Sequence, residues 1–308
     1  MKKRYLLLAF TPTIIWGFGY VVQSIGLTTV GVNTLNATRF ILAFIVLLPV
    51  LYIRRKNIYK KEPNKLILRR ATLIKGSIVS GIFLFIANTF QFWGMLYTTP
   101  GKASFITSLY IVIVPFLSLY FGEKISKKVW IGVLLALIGM YLLCFTKGIS
   151  GVNIGDLLVL VSAFGFSFQI ISISYYAPMC DAFSLAAFHI LIAGILSGIT
   201  MFILETPTLI AIKAAWFPIV YSAIFVSAIG YTFQILSQQK LSPTIASLVF
   251  SFESVFALFF GWLLLNEKLS NKELIGCVFV LIAILITQAS PLKIKKIRNK
   301  KTQPKKVV

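Results

Sequence analysis

The stretch 243–265, PTIASLVFSFESVFALFFGWLLL, is long and apolar enough to cross a bilayer as a helix, and it is one of ten such stretches. They lie near 5–24, 34–53, 73–96, 102–121, 128–146, 156–176, 183–204, 215–237, 243–265 and 271–289, joined mostly by short connections. A segment in lipid must satisfy its own backbone polar groups, and these lengths suit helices rather than the shorter strands of a barrel. The expectation is an all-α integral membrane protein with ten transmembrane helices. Composition agrees: 58% of residues are hydrophobic and only 12% charged, against about a quarter charged in soluble domains.

The net charge of +22 raises the question of nucleic acid, and its placement answers it. Lys2, Lys3 and Arg4 precede the first span, and eight Lys/Arg fall in 54–70. Lys124, Lys127 and Lys128 follow the fourth span, Lys240 the eighth, and eight more basic residues crowd 291–308. Counted through ten crossings, 23 lie on one side and five on the other: Lys102, Lys147, Lys213, Lys268 and Lys272. That bias follows the positive-inside rule and predicts both termini in the cytoplasm of a plasma-membrane protein. The basic tail is read as a solvated topology determinant, and no nucleic-acid partner is implied. The N-terminal MKKR resembles the start of a signal peptide, but no small-x-small site precedes Gln23, so a retained helix is expected. Cys144, Cys180 and Cys277 lack ligand-like spacing and read as free thiols, with no metal or cofactor implied.

Self-similarity organises the chain. Thr89-Phe90-Gln91 recurs 143 residues on as Thr232-Phe233-Gln234, Ala103-Ser104 as Ala246-Ser247, and Ser108 as Ser251. After one inserted residue, EKISKK at 123–128 matches EKLSNK at 267–272; more weakly, Trp16-Gly17-Phe18 aligns with Phe164-Gly165-Phe166. The chain therefore divides into two five-helix units, 1–146 and 147–290, followed by a basic cytoplasmic tail, 291–308. Five is odd, so the second unit starts from the opposite face. Inverted-topology repeats are a transporter architecture, with the site near the midplane between the halves.

WGFGY at 16–20, TTPGKASFITSLYIVIVP at 98–115 running to GEKIS at 122–126, and SPTIASLVFSFESVFALFFGWLLLNEKLS at 242–270 carry a resemblance over nearly the whole chain. The sequence resembles the drug/metabolite transporter superfamily and, within it, the EamA group. That resemblance implies ten helices, alternating access, and movement of small metabolites such as amino acids without ATP. It also implies a proline after Glu253, where this chain has Ser254, so the expected kink is absent.

Polar residues at membrane depth are costly and point to function. Glu253 is expected near the middle of the ninth helix, where a charge costs on the order of 3 kcal/mol. It reads either as a proton-coupling or substrate-amine group, neutral at rest, or as a carboxyl tying two helices together. Its partner must come from another helix, because Phe250 and Ala257 flank it on its own face. Ser77, Gly81, Asn88 and Gln91 share one face of the third helix; Ser227, Tyr231, Gln234 and Gln238 share one face of the eighth. The offset makes Asn88 equivalent to Tyr231 and Gln91 to Gln234, which suits a wetted central cavity. Interhelical hydrogen bonding, worth roughly 0.6 kcal/mol per contact, is the competing reading. Ser104, Thr107, Ser108, Thr244, Ser247 and Ser251 read as close-packing hydroxyls, and Ser242-Pro243 as a helix start.

Arg39 reads either as a contact for a substrate carboxylate or as a side chain pairing with Asp156 or snorkelling to the surface. His189, the one histidine, reads as a packing residue or a proton relay. Trp16, Tyr20 and Tyr110 are candidates to stack on a substrate, with interfacial anchoring as the alternative. An enzyme is disfavoured by the single histidine, the absence of HExxH and the failure of GMLYTTPGKAS to match a phosphate loop. A channel or a non-transporting scaffold stays open beside the secondary transporter. Substrate identity, coupling ion and oligomeric state are not readable.

Overall fold

The computed structural model describes residues 2–61, 70–120, 122, 125–144, 152–266 and 270–288. Residues 62–69 of the basic segment after the second span, the EK pairs of both repeats and the tail 291–308 lie outside the described residues, as does the side chain of Cys144. The described residues are helical almost throughout, without strands. The helices are α1 (Lys2–Leu27), α2 (Val32–Lys61), α3 (Arg70–Met95), α4 (Pro100–Thr107), α5 (Tyr110–Tyr120), α6 (Lys127–Cys144), α7 (Ile154–Tyr176) and α8 (Ala182–Leu204). The short α9 (Leu209–Ala214) and α10 (Trp216–Tyr221) lead into a π-helix (Ser222–Tyr231). Then come α11 (Thr232–Gln238), α12 (Pro243–Phe250), α13 (Phe252–Leu265) and α14 (Asn271–Gln288).

Among the described residues, eight spans are long and apolar enough to cross a membrane, including Pro100–Tyr120, Trp216–Gln238 and Pro243–Leu265, each built from consecutive pieces. The remaining pair, α6 and α14, pack against each other.

Local chemistry sets the helix starts. Thr99 caps α4 by accepting from Lys102 N, with Pro100 next; 143 residues on, Ser242 caps α12 by accepting from Ile245 N, with Pro243 next. Proline fits there because its missing N–H has no partner in the first turn. Asn153 and Asp156 form a reciprocal capping box at α7. Asn266, at φ 53°, ends α13 in the left-handed region that asparagine tolerates.

Both capped helices break at equivalent serines. Ser108 has ψ −5° and Ser251 ψ −12°, well short of the helical value of about −42°. The chain tightens there into i→i+3 bonds: Ile111 N to Ser108 O at 2.9 Å, and Ser254 N to Ser251 O at 3.2 Å. The interruption beside Glu253 thus forms without the family's proline. Ser251 and Ser254 fold their hydroxyls back onto the carbonyls of Leu248 and Ser251. This differs from the sequence expectation, and it places Glu253 at the start of α13 rather than within a continuous helix.

Small residues let the helices approach closely. A Cβ on Gly94 of α3 would lie 2.7 Å from the carbonyl oxygen of Gly155 on α7, so the two backbones nearly touch. Gly17 of α1 meets Phe256 and Ala257 of α13 in the same way. The helix α7 therefore lodges against α3, and α1 against α13.

Candidate functional site

A small central cavity of about 40 Å³ lies among α1, α3, α5, α7, the π-helix and α11 to α13. Trp16, Tyr20 and Gln23 of α1 line one wall, and Asn88 and Gln91 of α3 the next. Tyr110 of α5 and Phe166, Gln169 and Ile170 of α7 follow. Val226 and Tyr231 of the π-helix, Gln234 of α11, Phe250 of α12 and Glu253 of α13 complete it. Of the sequence candidates, Asn88, Gln91, Tyr231, Gln234, Trp16, Tyr20, Tyr110 and Glu253 are brought together here.

Two of the polar contacts here join residues 143 positions apart. Tyr110 OH donates to Glu253 Oε1 at 2.9 Å. Asn88 Nδ2 donates to Tyr231 OH at 3.3 Å, and also to its own-helix carbonyl of Leu84 at 2.9 Å. The equivalent glutamines do not touch each other. Gln91 Nε2 donates to Tyr20 OH at 2.8 Å and Thr107 Oγ1 at 3.2 Å, whereas Gln234 Nε2 donates to Gln169 Oε1 at 3.0 Å. Gln91 therefore ties α3 to α1, and Gln234 ties α11 to α7.

Arg39 and His189 stand behind the lining. Arg39 is wholly buried, which excludes snorkelling. Its Nε and Nη2 donate to Asn36 Oδ1 at 3.0 and 2.8 Å, and Nη2 reaches Asn88 Oδ1 at 2.5 Å. The rings of Phe40 and Phe92 cover the guanidinium, with centroids 4.3 and 4.7 Å from Cζ. The expected pairing with Asp156 does not occur. Asp156 sits at the end of α7, where it takes Lys102 Nζ at 2.7 Å and Thr98 Oγ1 at 3.2 Å. His189 turns Nδ1 to the carbonyls of Leu185 and Ala186 and meets Tyr231 edge-on, with centroids 5.6 Å apart.

The two expected polar stripes are only half used. Gly81 packs against Ile192 and the carbonyl of His189 instead of facing the cavity. In the second stripe Ser227 and Tyr231 both lie in the π-helix, but only Tyr231 lines the cavity. A wider i→i+5 turn opens the backbone, and such turns gather at functional sites. Here Val226 O accepts from Trp16 Nε1 at 3.1 Å. Gln23, Phe166, Gln169, Ile170, Val226 and Phe250 were not candidates from sequence. Gln169 alone carried a signal, as an amide inside an apolar span; the others are apolar, or polar near a span end.

Eight apolar spans around a cavity of amides, aromatic rings and one carboxyl define a multi-pass membrane protein with a small-molecule site. The EamA-like transporter family profile matches residues 3–145 and again 153–288, and the chain belongs to that family. An uncharacterized transporter of Archaeoglobus fulgidus is 30% identical over 89% of this chain and 82% of its own length. The uncharacterized transporter YoaV of Bacillus subtilis is 24% identical over 92% of this chain and 96% of its own. The uncharacterized inner membrane transporter YedA of Escherichia coli is 24% identical over 90% and 88%. One solved crystal structure, at 16% identity, superposes with a TM-score of 0.69 over 92% of this chain and 97% of the other, sharing the fold. The protein is a membrane transporter, with the bilayer as its surroundings and a small molecule as its substrate.

Proposed function

We propose that the protein is a ten-span secondary transporter of the plasma membrane, built from inverted five-helix repeats at 1–146 and 147–290. Both termini and the tail 291–308 lie in the cytoplasm. It exports small metabolites such as amino acids by alternating access, and the central cavity is the substrate site. Asn88, Gln91, Tyr231, Gln234, Trp16, Tyr20 and Tyr110 form its wall. Glu253, the one acidic residue among those lining the cavity, receives a substrate amine and couples transport to protons. Arg39 and His189 hold the wall from behind.

One observation carries this reading. Two residues related by a twofold rotation touch each other only if both lie near its axis. Tyr110–Glu253 and Asn88–Tyr231 are such pairs, bonded across one cavity at the spacing of the sequence repeat. The cavity therefore lies on the pseudo-axis, where exchange of the two halves' conformations leaves the pairs facing each other. Contacts far from the axis, at either end, are the ones such an exchange breaks.

The test compares extracellular metabolites of cells carrying the wild type or Glu253→Gln at matched membrane levels. The substitution keeps shape and hydrogen bonding, so insertion and the level of folded protein are expected to hold. Export of at least one compound is expected to fall about tenfold, equivalent to about 1.4 kcal/mol. Equal export by both proteins would remove Glu253 from the mechanism. In liposomes, saturable flux accelerated by unlabelled substrate on the far side separates a carrier from a channel.

A further inference from the structure

The transporter reading leaves open what charge the substrate carries. The hydrogen-bond partners around the cavity answer this, and the answer rests on the cavity being the substrate site.

Several of the donors that could receive a substrate carboxylate are already engaged, and those left are neutral. Asn88 Nδ2 is spent on Leu84 O and Tyr231 OH, and Gln91 Nε2 on Tyr20 and Thr107. Gln169 and Gln234 bond reciprocally, at 3.4 and 3.0 Å. No Lys, Arg or His is among the lining residues. The nearby guanidinium of Arg39 gives Nε and Nη2 to Asn36 and Asn88, its faces are covered by two phenyl rings, and its remaining Nη1 is sealed from the cavity. A carboxylate would meet no cation here, only neutral donors: the Gln23 amide, the second N–H of Gln169 and of Gln234, and the Tyr20 hydroxyl.

The acceptor side is the reverse. Glu253 Oε1 is held by the Tyr110 hydroxyl, which fixes the carboxyl group in place. Oε2 has no partner among the described residues and is not among the atoms sealed from the cavity. Beside it runs a continuous aromatic wall. Trp16 lies 5.6 Å from both Tyr231 and Phe250, edge-on to the latter. Aromatic faces attract a desolvated cation, and more strongly when water is excluded. One open carboxylate oxygen, rings around it and no positive counterpart form a receptor for a single positive charge on an apolar body.

We propose that the transporter selects monocationic organic amines over zwitterions and anions, with the ammonium on Glu253 Oε2 and the apolar body along Trp16, Tyr231 and Phe250. This narrows the small-metabolite reading above from amino acids to amines: an amino acid fits the amine half of this site and leaves its carboxylate facing no cation.

The test uses three probes that share a ring and chain but differ in charge: phenethylamine, phenylalanine and 3-phenylpropionate. Calorimetry on the purified full-length protein in lipid nanodiscs reads equilibrium binding without needing transport. Phenethylamine is expected to bind about tenfold more tightly than either other probe. Glu253→Gln is expected to remove that preference, and Glu253→Asp to retain part of it, with thermal melts showing that both are folded. The comparison within the wild type stands even if neither variant folds. Equal or tighter binding of phenylalanine or phenylpropionate overturns the proposal, and so does absence of phenethylamine binding. Parallel counterflow in liposomes separates the two claims. Counterflow of phenylalanine without phenethylamine binding keeps the carrier and refutes the cation site. Selective phenethylamine binding without its counterflow supports the cation site and counts against the carrier.

Discussion

The two ends of the cavity are closed by different chemistry. Where α3 turns into α4, Lys102 and Asp156 join the halves through an ion pair at 2.7 Å, and the backbones of Gly94 and Gly155 approach beside it. Where α11 turns into α12, the contacts with α1 are apolar, and that end's charge pair, Arg54–Asp181 at 2.9 Å, joins α2 to α8 instead. Leu241, Ala246, Val249 and Phe250 pack with Ala9, Tyr110, Val114 and Ile170, and Tyr5, Leu6 and Phe10 of α1 lie against them. The sequence repeat makes the contrast specific: Ile245 stands 143 positions after Lys102, and Leu8 aligns with Asp156. One end thus carries a charge pair where its counterpart carries two aliphatic side chains. A charge pair depends on salt and on geometry; buried apolar area does not depend on low salt.

The comparison can be broken most forcefully at Gly94. Gly94→Val would drive its Cβ onto a backbone carbonyl that has no room to move. The expected result is a loss of roughly 3 kcal/mol, seen as a lower melting temperature in lipid, with the polar end forced apart. An unchanged melt would mean that the close approach is not needed. A middle-sized effect is expected from Leu241→Ala, which removes buried side-chain volume at the apolar end. It should cost about 2 kcal/mol in thermal melts, independent of salt concentration. The smallest effect belongs to Lys102→Met. The lysine side chain is 21% exposed, so the pair is partly screened and its loss should cost under about 1 kcal/mol. High salt should mimic Lys102→Met in wild type and leave the Leu241→Ala protein's deficit as it was.

The helices and the chemistry of the cavity were readable from sequence for one reason: membrane depth makes every polar residue conspicuous. Asn88, Gln91, Tyr231, Gln234 and Glu253 stand out in apolar stretches and do line one space. The offset established that Asn88 and Tyr231 are equivalent, but equivalence is not proximity, and their contact depends on where the pseudo-axis passes. Arg39 and Asp156 were matched by depth in the membrane alone. The rotation of α2 instead turns Arg39 toward Asn36 and Asn88. The break at Ser251 escaped because it uses serine in place of proline. The π-helix at Ser222–Tyr231 escaped because SAIFVSAIGY would serve equally well as an α-helix. Its wide turn is set by packing, with Gly230 against the Trp16 indole and Gly19 against Val226.

The central claim is that the two ends open in alternation around a fixed axis. Paired spin labels report it without knowledge of the substrate. One pair at Leu96 and Leu157 spans the charged end, both being about half exposed, at 50% and 52%. A second pair at Leu7 and Lys240, both exposed, spans the apolar end. In lipid, each end should show two distances. Leu241→Ala, by loosening the apolar end, should raise its longer distance and lower the longer distance at the charged end together. Movement at one end alone, or a single unchanging distance at both, would contradict the account.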